Sequence, residues 1–248
     1  MSYQMFTLKE RPDFREVFDV IGDRVWPQFM GWDPVLREHW DDLDNIFPEY
    51  QLILCEDNEA VGLANSIPFH WDMPFEELPE EGWDWVVVKG LKDKEKGTKP
   101  NTLCGLQVAV DTKYQGKGIS PVIVLEMLNT ARDSGIGHVA IPIRPTLKSI
   151  YPLIPISEYI EWKREDGLPF DPWIRVHVKL GARIVKPCHK SMYIPGSIAQ
   201  WEQWTGMKFP ETGEYIVEGA LTPVKIDHQK NTGEYIEPNV WIVHKIPL

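Results

Sequence analysis

The sequence predicts a mixed α+β domain. Apolar runs of strand length alternate with helix-periodic stretches. Two of those runs, residues 50–57 and 60–67, meet at Asn58-Glu59 in a hairpin pattern. At residues 102–134 a strand-like run passes through two closely spaced glycines into a helix.

The elements follow in order. "MFTLKER" reads as a first strand, and Pro12-Asp13 opens a helix whose apolar positions are Phe14, Val17, Phe18, Ile21 and Val25. A second helix runs from Pro34 to Phe47, with Asp33 as its cap and proline in the first turn. After the hairpin, residues 68–101 begin as a Trp-, Pro- and acid-rich piece and end in the charged string "KGLKDKEKGTKPN", expected to be a mobile surface loop. Strand 102–110 leads into helix 118–134, whose apolar positions include Ile119, Val122, Leu125, Leu128 and Ala131, with Gly135 placed to end it. "HVAIPI" supplies a buried strand, followed by a proline-interrupted stretch over 144–170. Asp171-Pro172 then caps a short helix, 172–180. "ARIVKP" and "KSMYIP" read as a closing pair of strands. An aromatic helix, "SIAQWEQWTG", and a strand-rich tail with a turn in "QKNTGEY" complete the chain.

Bulk properties narrow the function classes. At 248 residues and 43% hydrophobic side chains, the chain can bury a sizeable core. Cys55, Cys104 and Cys188 are odd in number and form no CxxC pair, which points to a reducing, cytoplasmic setting with neither disulfide framework nor zinc knuckle. The N-terminus lacks a basic-then-apolar leader, and no run reaches the ~20 apolar residues of a membrane span, so no membrane partner is expected. A formal charge of -11 disfavours nucleic acid, whose binding depends on cationic neutralisation of phosphates, and favours a cationic or neutral partner. The seven histidines show no HxxxH spacing, and no metal is expected.

The glycine turn carries the most chemistry. Backbone without Cβ at Gly116 and Gly118 can expose several amides at the positive end of a helix, which makes an anion site. Lys117 lies between the glycines and no GK[ST] follows, so the NTPase phosphate loop is not matched. The dinucleotide fingerprint, with three glycines in a first strand-turn-helix unit, is absent too.

The stretch Val110, Asp111-Thr112-Lys113-Tyr114, Gln115-Gly116-Lys117-Gly118-Ile119-Ser120 resembles the acyl-CoA signature of the GNAT superfamily of N-acyltransferases, [QR]-x-x-G-x-[GA] opening a helix after a strand. Ser120 stands where the family has Gly or Ala, and Pro121 follows it. The similarity covers roughly residues 4–195 and includes a second segment, "IRVHVKLGARIV", similar to the family's "lYeklGF". The resemblance implies a GNAT-like domain over 1–195 with a central, mostly antiparallel mixed sheet flanked by helices. Its signature spans 102–134, its insertions are 68–101 and 145–170, and a strand-rich extension, 196–248, packs on the core or across a homodimer.

It also implies acetyl-CoA, or another acyl-CoA, as co-substrate. Val108 and Val110 would hold the pantetheine, and Gln115, Gly116, Lys117, Gly118, Ile119 and Ser120 the pyrophosphate. The acceptor would be a small primary amine attacking the thioester directly. Where the family often carries an acidic tyrosine, this chain has His177, with Tyr151 as the other donor candidate. A histidine on an apolar helical face is more often a hydrogen-bonded core residue than a catalyst, and that reading stands beside the catalytic one. A glutamate base used by some members would fall near Cys104, where "TLCGLQVAV" has no carboxylate. The acidic run Asp72, Glu76, Glu77, Glu80, Glu81 and Asp84 either drains the proton through water or is simply a solvated face. Trp71, Trp83, Trp85 and Tyr159 are the candidate pocket walls, unless they pack an ordinary core. A non-catalytic acyl-CoA-binding module is the alternative reading, and an acyl-CoA lyase or decarboxylase a third.

Overall fold

A computed structural model describes residues 3–247, which form one nine-stranded sheet with helices on both faces. Strands β1 (Tyr3–Thr7), β2 (Leu52–Glu56), β3 (Glu59–Phe69) and β4 (Thr102–Val110) run antiparallel in that spatial order. Strand β5 (His138–Ile143) is parallel to β4, and β9 (Thr232–Lys245) pairs antiparallel with β5. Strand β6 (Arg183–Gly196) pairs along β9, while β7 (Gly213–Tyr215) and β8 (Val224–Asp227) form a hairpin joined to its first residues.

Local chemistry accounts for the helices the sequence predicts. In α2 (Pro34–Ile46) the Asp33 carboxylate accepts the Leu36 amide, one of the four N-terminal donors with no intrahelical partner. In α4 (Ile119–Asp133) the buried residues Ile119, Ile123, Met127 and Ala131 recur every four positions, giving the stripe that covers the sheet. In α6 (Pro172–Lys179) Asp171 accepts the amides of Trp173 and Ile174. Helix α1 (Arg15–Val25) packs Phe18 and Ile21 against Ile53, Leu63 and Ala109.

Alternation along β4 divides the core between the two faces. Leu103, Val108 and Val110 join Ile141 and Ile143 beneath α4 and α6. Cys104 and Leu106 face a second, aromatic-rich core with Phe29, Trp83, Trp201, Trp204, Tyr235 and Trp241.

Two expectations are corrected. The charged string expected as a mobile loop is largely the C-terminal half of a helix, α3 (Gly82–Glu95), which buries Trp83, Val86, Val87 and Gly90 at helical spacing. "ARIVKP" and "KSMYIP" are not a strand pair but one strand, β6, irregular in register between Cys188 and Met192. Residues 196–248 pack on the same sheet, where β9 lies against β5 and β6. Helix α7 (Ile198–Thr205) does form, closed by a capping box between Ser197 and Gln200. No helix among the described residues is long and apolar enough to cross a membrane.

Candidate active site

Strands β4 and β5 pair only at Thr102–His138 and Leu103–Val139, after which they part. Beyond that point β4 keeps its other neighbour, β3, up to Val110. Its inner edge therefore has amides and carbonyls with no strand partner, a groove into which an extended amide-bearing chain can be inserted. Register with β3 slips beside the opening, where Asn65 faces Gln107 and Ser66 faces Gly105, leaving Leu106 as a bulge. The Leu106 carbonyl is taken by the Trp83 indole N–H at 3.0 Å, which fixes α3 on the bulge.

The glycine loop stands at the open end of β4. Gly116 and Gly118 have φ of 77° and 74°, a left-handed conformation that glycine adopts without strain, and a Cβ at either would meet nothing within 4 Å. The loop surface is thus open to solvent. Among the described residues the amides of Gly116, Lys117 and Gly118 find no acceptor, and no side chain caps α4, so Ile119 and Ser120 add two first-turn donors. Pro121 supplies none. These donors converge at the positive end of a fifteen-residue helix, the arrangement that holds a phosphate anion.

Struts hold this loop in place. Gln115 turns its Nε2 back to the Val110 carbonyl at 3.1 Å, so its side chain braces the strand end and only its backbone faces the loop. The Lys117 ammonium lies 4.6 Å above the Tyr114 ring. Asp111 accepts the Lys113 amide and pairs with Arg24 at 2.7 Å; these contacts hold its carboxyl below the usual carboxylate range. Two residues beyond Arg24, the Trp26 indole donates to Gln107 Oε1 at 2.6 Å.

Past Trp26, a cavity of about 480 Å³ opens between residues 25–29, residues 204–207 and residues 217–219. It bears on both lips of the opening. Trp26 ties it to β4 through Gln107, and the Gly219 carbonyl accepts Arg144, the first residue after β5. Arg144 also holds the buried Glu237 at 3.0 Å, and Tyr235 donates to the same carboxylate. Nearby, Asp33 and Asp84 both have raised carboxyl pKa values, chiefly from burial, and Asp84 further from the Asp33 charge. Asp33 Oδ2 and Asp84 Oδ1 have no other donor, so one shared proton satisfies both. Of the residues that line the cavity, Glu218 is the one acid, and it is exposed.

The chain is 33% identical to the arginine N-acetyltransferase avaD of Aspergillus versicolor over 276 aligned positions, covering 99% of this chain and 94% of the relative. It belongs to the GNAT superfamily of acyl-CoA N-acyltransferases. Solved GNAT structures agree in fold. The loading GNATL domain of CurA from Lyngbya majuscula superposes with a TM-score of 0.65 at 18% identity, over 99% of this chain and 98% of that one. The GphF GNAT-like decarboxylase, solved with isobutyryl-CoA, gives 0.60 at 15% identity over the whole of both chains. No family model matches the chain.

Within this GNAT domain the predicted site residues fare unequally. Val108, Val110 and the segment Gln115–Ser120 lie together along the free edge of β4 and the start of α4. His177 is fully buried, with Nδ1 3.0 Å from His244 Nε2 and the Trp173 ring edge-on at 4.4 Å. One of these two ring nitrogens donates to the other, the direction depending on the tautomer. His177 Nε2 is buried with no hydrogen-bond partner. Burial pushes the His177 pKa down to about 3. In this setting His177 stands as a core imidazole hydrogen-bonded to His244.

Tyr151 is half-buried on the α4 side of the sheet, ringed by Trp162 and Phe170, and its hydroxyl has no partner among the described residues. The four predicted pocket walls do not come together. Trp83 is bound to the bulge, and Trp71 and Trp85 pack edge to face beside Phe69. Tyr159 lies on the opposite face of the sheet, donating to Asp171 at 2.8 Å. The cavity that does form takes its residues from three segments far apart in the chain, joined by no sequence pattern.

Proposed function

We propose that this GNAT enzyme transfers the acetyl group of acetyl-CoA to a nitrogen of a small amine of the arginine class. The observation that carries the reading is the parting of β4 from β5 beside a loop of unpartnered amides. The pyrophosphate is held by the backbone of 116–120, and the pantetheine runs along β4 at Val108 and Val110 as a surrogate strand. The thioester then lies near the Leu106 bulge, with the acceptor arriving from the opposite face, where the cavity stands.

The neutral amine attacks the thioester carbonyl, forming the C–N bond, and collapse of the adduct breaks C–S. The ammonium proton leaves to solvent water at the open mouth of the site. Tyr151, on the co-substrate side, supplies the proton to the departing thiolate. The arginine class is suggested by the avaD relative and by the exposed Glu218 in the cavity lining.

Thiol release from acetyl-CoA in the presence of arginine, agmatine, lysine and aryl amines tests the reading. Turnover with the guanidinium-bearing amines supports it; saturable acetyl-CoA binding with no turnover on any amine sinks it.

A further inference from the structure

We infer that the cavity between Trp26, Phe29, Trp204 and Glu218 is a guanidinium-binding subsite that positions the acceptor, an inference resting on the reading just given. Trp26, Phe29 and Trp204 stand among its mostly apolar lining residues, and its one acid is unpaired. Glu218 is exposed and has no ion-pair partner among the described residues. No lysine or arginine lines the cavity, and the cations adjoining its lining residues are neutralised elsewhere: Arg24 by Asp111, Arg144 by Glu237 and Lys208 by Glu202. A cation entering the cavity meets one uncompensated negative charge.

The aromatic surface is fixed before any ligand arrives. Trp204 is 5% exposed and stacks on Trp32, with ring centres 5.2 Å apart and planes 16° from parallel. The far side of that stack already carries the Arg37 guanidinium, 4.3 Å above the Trp32 ring, so the protein itself shows which cation suits these indoles. Trp26 is held by its hydrogen bond to Gln107. Gly219, with φ of 82°, lies so close to Pro27 that a Cβ would sit 2.7 Å from its ring, which sets the spacing of the two cavity walls. A flat, weakly hydrated guanidinium fits such a slot better than a compact ammonium. Glu218 then distinguishes charged acceptors from neutral isosteres.

Arginine and its uncharged isostere citrulline, compared as acceptors for wild type, Glu218→Gln and Glu218→Ala, provide the test. The wild-type enzyme should favour arginine. Both variants should raise the arginine KM about two- to fivefold, the range of an exposed ion pair, leave the citrulline KM and the acetyl-CoA affinity unchanged, and so narrow the preference. Retention of the full arginine preference by both variants overturns the assignment. So does acetylation that is indifferent to the guanidinium in an enzyme that still binds acetyl-CoA. If instead acetyl-CoA itself fails to bind, the reading of function has failed, and the subsite falls with it.

Discussion

Arg24 and Asp111 meet in a 2.7 Å ion pair that ties the end of α1 to the turn leading into the glycine loop. The Arg24 side chain is 48% exposed and that of Asp111 only 7%, so the buried carboxylate, with its bond to the Lys113 amide, carries most of the effect. Asp111→Ala should cost about 1–3 kcal/mol of stability and weaken acetyl-CoA binding, measured by thermal unfolding and calorimetry. Arg24→Ala should do much less. Equal effects of the two would show that the ion pair, rather than the amide bond, holds the turn.

Gly116 and Gly118 use left-handed backbone in open space, so substitution there acts through conformation and charge rather than through packing. Gly118→Ala should cost about 1–2 kcal/mol in backbone strain. Gly118→Glu adds a carboxylate beside the amides and should abolish acetyl-CoA binding while the far-UV circular dichroism stays native. Undiminished binding in that variant would remove the loop from the co-substrate site.

The parts of this site legible in the sequence are those encoded locally. Asp33 and Pro34 mark the start of α2, Asp171 and Pro172 that of α6, and the two glycines mark the turn before α4, because caps and positive φ depend on neighbouring residues alone. The α3 stripe Trp83, Val86, Val87 and Gly90 was present but masked by the charged run after it. Pairing of β9 with β5 joins positions about a hundred residues apart, and the cavity unites residues 26, 204 and 218; no local signal specifies either. His177 shows the limit of motif position: it occupies the family's tyrosine place, yet its partner His244 comes from the far end of the chain.

Tyr151 and His177 separate the two proton donors that the sequence offers. Tyr151→Phe should lower kcat roughly 100-fold, the scale of a lost general acid, with acetyl-CoA affinity retained. His177→Phe should reduce stability, by stripping His244 of its partner, and change kcat less. A reversed order in steady-state kinetics would return the acid role to His177.

The same histidine pair gives a pH dependence. Burial lowers His177 to about 3 and His244 to about 4, against about 6.5 for an unfolded histidine. The folded chain therefore binds fewer protons than the unfolded one in that window, and stability should fall as pH drops from about 6.5 toward 4. His177→Phe should flatten this decline in Tm. A parallel decline in both proteins would mean that other groups cause it.

Asp33 and Asp84 act in the opposite sense. Their carboxyls are raised by burial, that of Asp84 also by the Asp33 charge, so the folded state holds a proton that the unfolded state releases, and stability declines as pH rises above the ordinary carboxylate range. Asp84→Asn keeps a donor toward Asp33 without needing that proton. Its Tm should vary less between pH 6 and 9 than that of wild type, and identical slopes would refute the shared proton.

Titration of CoA into the folded chain, followed by amide hydrogen exchange, addresses the central claim most directly. One site per chain is expected, with slowed exchange at residues 116–120 and along β4 at 106–110. Binding that leaves those amides unprotected, or a well-folded chain that does not bind CoA, would contradict the account.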